Sequence, residues 1–135
     1  MGDIASLSRF TLPGNPTTGL HPSPKQYVDT PRVVGLSDTA TILVDATLGN
    51  IFDITLGGNR TLGNPTGAVN GQKFEFRVRQ DATGGRTLAL DTKYRFGTDL
   101  ASVVLSTGAG KLDRVGVEYV SVDDKFDIIA LMRGY

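Results

Sequence analysis

The chain has 135 residues, enough for one domain in which folding hides roughly two-thirds of the surface the unfolded chain exposes. Its fourteen Lys and Arg balance its fourteen Asp and Glu, so no global field draws nucleic acid or anionic lipid in from a distance. The absence of Cys excludes disulfides, thiolate nucleophiles and zinc–thiolate centres, and no apolar run approaches the roughly eighteen residues of a membrane-spanning helix.

Twelve of the fourteen acidic residues are Asp, and Gly reaches seventeen. Both residue types are poor helix formers favoured in turns, so the composition predicts strands joined by tight connections. Nothing after Met1 has the cationic stretch, apolar core and small-residue cleavage site of a secretory signal.

Residues 1–31 form a first unit. Five of the six prolines (Pro13, Pro16, Pro22, Pro24 and Pro31) fall here, each removing a backbone donor and holding its predecessor extended. Phe10, Leu12, Leu20, Tyr27 and Val28 are spread along it as apolar pegs. Fixing about thirty residues costs on the order of 30 kcal/mol of backbone entropy. A segment without its own core must recover that by burying on the order of 1,200 Å² of apolar surface against another chain. The segment is therefore expected to be an extended docking arm, with Phe10, Leu12, Leu20, Lys25, Tyr27 and Val28 as its partner-binding residues.

Residues 32–135 read as an all-β domain. A weak strand is expected near Arg32 to Leu36, and others at Thr41 to Asp45, Asn50 to Leu56 and Ser102 to Ser106. Lys73 to Arg79 gives the clearest alternation: Phe74, Phe76 and Val78 share one face, and Lys73, Glu75, Arg77 and Arg79 the other. Asp81 to Gly85 is expected to turn this strand back as a hairpin onto Thr87 to Leu90. A second hairpin joins Arg114 to Val120 with Phe126 to Met132 through Ser121 to Lys125. Seven or eight strands at this spacing predict a single antiparallel β-sandwich or jelly roll. No tandem repeat is evident, which argues against a solenoid.

Chemistry-bearing residues are sparse. His21 is the only histidine, and it lies in the arm, away from any rigid catalytic frame. Asp123, Asp124 and Asp127, with Asp113 across the second hairpin, offer oxygens for a hard cation, but their spacing fits no known calcium loop and reads as turn chemistry. Lys73, Arg77 and Arg79 make a basic stripe that Glu75 interrupts, without alternating aromatics to stack bases. It reads as a solvated or subunit-facing strand surface. The glycines at 57–58 and 84–85 lack the lysine of a phosphate loop and read as turns. No catalytic residue, metal site or cofactor is expected.

Leu12-Pro13, Pro16-Thr17 and above all Lys25-Gln26-Tyr27-Val28-Asp29 resemble, in that order, a segment recurrent in tailed-phage virion proteins: tail fibres and head-attached fibres or decoration proteins. The stretches Gly58 to Leu62, Gly71 to Phe76 and Tyr94 to Gly97 are similar to a small β domain that ends phage fibre-type proteins. The resemblance implies a virion component, commonly a homotrimer; the composition and the sparse chemistry add the expectation of no enzymatic activity and no nucleic-acid or membrane partner. Only a short arm precedes the domain, a layout that favours a capsid decoration protein or head fibre on the capsid exterior, docked by its arm on the major capsid protein. The alternatives are a tail-fibre or minor tail protein contacting tail proteins or a host receptor, and a small carbohydrate-binding module or enzyme.

Overall fold

The computed structural model describes residues 32–135. The expected arm, with Phe10, Leu12, Leu20, Lys25, Tyr27 and Val28, lies outside the described residues, as does His21.

Among the described residues nine strands follow one another: β1 (Val33–Gly35), β2 (Thr41–Ile42), β3 (Ile51–Leu56), β4 (Arg60–Leu62), β5 (Lys73–Gln80), β6 (Leu88–Leu90), β7 (Tyr94–Arg95), β8 (Leu112–Val120) and β9 (Lys125–Met132). Period-two alternation makes the long ones. Phe52, Ile54 and Leu56 of β3, Phe74, Phe76 and Val78 of β5, and Val115 and Val117 of β8 are all buried, with polar or half-exposed residues between them. The inward set predicted for Lys73 to Arg79 is the observed one.

The strands form two sheets, one ordered β1-β3-β5-β8-β9-β7 and the other β2-β4-β6. Consecutive strands from β1 to β7 alternate between them. Within each sheet the members of this series are parallel: β1 with β3, β3 with β5, β2 with β4, and β4 with β6. A parallel pair needs a long crossover, and here the crossover is a strand of the other sheet. The chain thus coils three times, laying each turn beside the last. Asp45 and Thr66 add a short parallel contact between the first two coils, where the Ala46 amide donates to the Thr66 carbonyl at 2.8 Å.

This topology corrects several expectations. The domain is all-β, but its pairing is mixed; antiparallel ladders occur only at β5–β8 and β8–β9, among the described residues. The argument against a solenoid fails for the first three coils, because the coils are unequal and leave no sequence period. The Arg32 amide reaches the Asn50 side chain 18 residues on, whereas the Thr87 amide reaches back 28 residues to Asn59. The hairpin at residues 81–85 is not formed: β5 and β6 belong to different sheets. Asp81 does organise that connection, accepting the Thr83 and Gly84 amides at 3.0 and 2.9 Å, and Gly84 and Gly85 take positive φ of 74° and 71°. A Cβ on Gly84 would lie 2.5 Å from the Thr107 carbonyl oxygen. Residues 102–106 form no strand; Leu105 is buried, and the Ser106 amide bonds the Asp113 carboxylate instead of a ladder. The second hairpin is formed as expected by β8 and β9, with a bulge between Gly116 and Val117. Asp124 supplies its left-handed residue at φ 51°, a conformation a short polar side chain tolerates.

The two sheets share one hydrophobic core, to which Ile42, Leu62 and Leu88 come from the three-stranded sheet. Phe52, Phe74, Phe76 and Phe126 form a chain of rings with centroids 5.6–5.9 Å apart, three of the four contacts edge-on. Each such pair adds about 0.5–1.5 kcal/mol to the burial of its rings. Two buried polar side chains fasten loops to this core. Gln80 bonds the backbone of Arg86 in both directions and the Ser106 carbonyl, while Asp113 accepts the Ser106 amide at 2.6 Å and the Gly134 amide at 2.9 Å. Tyr94 donates its hydroxyl to the Gly63 carbonyl at 2.9 Å, and burial pushes its phenol well above the usual range.

Phe76→Ala should cost about 3–5 kcal/mol in denaturant unfolding, and Phe76→Asp should abolish the cooperative transition by burying an unpaired carboxylate. A normal transition for the second variant would mean that Phe76 does not point inward. The Arg86 guanidinium, then the Gly84 amide, hold the Asp81 carboxyl at about 2, below its ordinary 3.8. A lowered folded-state value stabilises above the unfolded one, so this contribution is complete above about pH 4 and lost as pH falls toward 2. The gap in melting temperature between the protein and Asp81→Asn should close over that window.

Candidate functional site

The outward phase of the same strands builds a charged surface. Lys73, Glu75, Arg77 and Arg79 project from β5, where the sequence placed them, and the ladder sets Asp53 of β3 and Arg114 of β8 beside Arg77. The row therefore runs Asp53, Arg77, Arg114 across three strands. Two guanidiniums directly opposite each other repel, unless carboxylates flank them. Asp53 grips Arg77 through two bonds, Nε–Oδ1 at 2.5 Å and Nη2–Oδ2 at 2.9 Å. This pairing holds the Arg77 guanidinium protonated above its ordinary range. Glu75 takes Arg114 Nη1 at 2.8 Å, and the Arg114 guanidinium lies 5.2 Å from the centroid of the Tyr135 ring. Glu75 is thus a counter-charge within the basic stripe rather than a mere interruption of it.

Beside this row lies a groove of about 360 Å³ lined by Asp53, Ile54, Thr55, Arg77, Arg79, Leu112 and Arg114. Arg79 enters it with a single backbone bond, Nη1 to the Gly110 carbonyl at 3.1 Å. Asp53 and Arg114 were missed as site residues because the pairing that brings them to the stripe crosses strands far apart in sequence. Their outward phase in Ile51 to Leu56 and Arg114 to Val120 was the one available signal.

The aspartates weighed as a cation site are engaged elsewhere. Arg95 pairs with Asp127 at 2.6 Å and with Asp123 at 3.1 Å, which raises its guanidinium further. Asp124 receives Lys93 Nζ at 2.7 Å and the Tyr119 hydroxyl at 2.9 Å, and both contacts hold its carboxyl below the ordinary range. Asp113 is buried and separate from them. The four residues do not converge. Asn59 and the glycines at 57–58 serve a turn, in which Asp38 accepts the Gly57 amide at 3.0 Å and pairs with Arg60 at 2.7 Å.

Asp53→Ala should leave Arg77 facing Arg114 without its nearer counter-charge. The expected result is a lower denaturation midpoint at low ionic strength, and a gap to the unaltered protein that narrows as salt is added. A gap insensitive to salt would show that the pair contributes by packing instead.

Comparison with known proteins places the charged groove in context. Residues 38–111, more than half of the chain, match the family described as "Putative phage tail fibre C-terminal domain". The match covers β2 to β7 and includes Asp53, Arg77 and Arg79. No curated protein and no solved structure matches the chain. Three coils of β-structure carrying a charged outer face are therefore the form taken here by a member of the phage tail fibre C-terminal domain family, and the chain is a phage virion protein of the tail-fibre kind.

Proposed function

We propose that the chain is a non-catalytic tail-fibre module that takes part in contact with the host receptor. The family match carries this reading: a tail-fibre domain covers more than half of the chain. The chemistry of the surface supports it. Several of the exposed acids and bases of the six-stranded sheet are set as ion pairs, Asp53 with Arg77, Glu75 with Arg114 and Lys73 with Glu118, an arrangement suited to recognition and not to proton transfer.

The capsid exterior favoured by the layout of arm and domain draws no support from a tail-fibre match, so the tail is the better placement. Assembly as a homotrimer and attachment to other tail proteins belong to the same proposal and rest on the resemblance of the arm and the domain to fibre-type virion proteins. In such an assembly three copies of each recognition face act together, and avidity multiplies a weak single contact.

Fluorescently labelled full-length protein should bind saturably to intact cells of the bacterium the parent phage infects, and not to capsids that lack it. Uniform decoration of those capsids, with cells left unlabelled, would overturn the tail-fibre reading in favour of capsid decoration. Turnover of a surface polysaccharide would overturn the non-catalytic one.

A further inference from the structure

We infer that the groove beside Arg77 receives the oxyanion of an acidic saccharide, a sugar phosphate or a uronate of the bacterial surface; this rests on the receptor-contact reading and names its site and ligand class. Three guanidiniums, those of Arg77, Arg79 and Arg114, line it with the carboxylate of Asp53, and Glu75 holds Arg114 from beside it. The side chains of these five residues sum to one positive charge.

The free donors are specific. Asp53 occupies Nε and Nη2 of Arg77 and leaves Nη1; Glu75 occupies Nη1 of Arg114 and leaves Nε and Nη2. Arg79 keeps all but the Nη1 bond to Gly110. A guanidinium fork matches the paired oxygens of phosphate and carboxylate equally well. Because the carboxylates and Tyr135 already hold Arg77 and Arg114 in place, little side-chain freedom remains to be lost when a ligand arrives. The volume of about 360 Å³ falls among those of small-ligand sites, typically ~300–1,000 Å³. Leu112, in the outward phase of β8, gives it an apolar edge against which a sugar ring can lie, while Thr55 offers a hydroxyl.

The test titrates the full chain, followed by amide chemical shifts in solution, with glucose 1-phosphate, glucuronate, glucose and inorganic phosphate. Both charged sugars should saturate, shifting signals of β3, β5 and β8, and the affinity should fall as salt is raised. Glucose alone should cause no shift. Arg79→Glu leaves both ion pairs in place and should weaken the charged sugars by at least about tenfold without changing the unfolding midpoint. No shift with either charged sugar, or an affinity that Arg79→Glu leaves unchanged, would overturn the inference. Inorganic phosphate binding as tightly as glucose 1-phosphate would reduce the site to an adventitious ion only and overturn it as well.

Cell binding separates this inference from the reading it rests on. If Arg79→Glu binds cells as the unaltered protein does, the groove is refuted and the receptor-contact role stands. If the unaltered protein binds the charged sugars but no cells, the groove stands as an oxyanion site and the receptor-contact role falls.

Discussion

β5 is paired on both sides, with a parallel neighbour in β3 and an antiparallel one in β8, and the rest of the domain follows from keeping that strand in register. On one side it closes the stack of coils; on the other it starts the hairpin that completes the sheet. A slip of one residue would send Phe74, Phe76 and Val78 to solvent and bring Lys73, Glu75, Arg77 and Arg79 into the core. The cost of burying even one unpaired charge exceeds what most domains have to spare. Gln80 reinforces this register at the end of the strand: its side chain is spent on the backbone of Arg86 and Ser106, so a shifted β5 would strand three hydrogen bonds at once.

The charged face is a consequence of the same constraint. With inward positions reserved for aromatic and aliphatic side chains, the outward ones are free to differ, and the ladder decides which of them meet. Asp53, Arg77 and Arg114 come from strands that have little in common except adjacency. Parallel stacking fixes the first contact and antiparallel pairing the second, so the groove exists where the two kinds of pairing adjoin. Charged side chains placed there sit on well-packed strands instead of on loops, which favours a fixed geometry.

Much of the local structure was legible in the residues. The alternation in Lys73 to Arg79, the turn at Ser121 to Lys125 and the two strands it joins were read from period and composition, as was the turn character of Asp81 to Gly85. What was not legible is which strands are neighbours. The positive φ of Gly84 and Gly85 serves a chain that crosses to another sheet as well as one that doubles back, so the local signal of a hairpin was present without the hairpin. The stack of coils was hidden for a different reason. Parallel neighbours such as Thr61 and Ala89 are joined by a segment that carries a strand of the other sheet and its turns, and nothing in either residue specifies its length. Residues 102–106 carry β-branched side chains that favour an extended backbone, yet Asp113 takes the Ser106 amide and Arg133 the Val104 carbonyl, and the segment joins no ladder. For the charged groove, the basic stripe was visible, whereas Asp53 and Arg114 depended on a register that only the folded chain defines.

The unequal coils bear on how such a domain can change over time. Strands hold their positions through neighbours above and below, while surplus residues of the longer turns gather in the bends at 67–70 and 82–86. Lengthening or shortening a bend alters the outline of the particle without touching a ladder bond. A domain built in this way can therefore vary its contours one bend at a time, and keep its interior as it was.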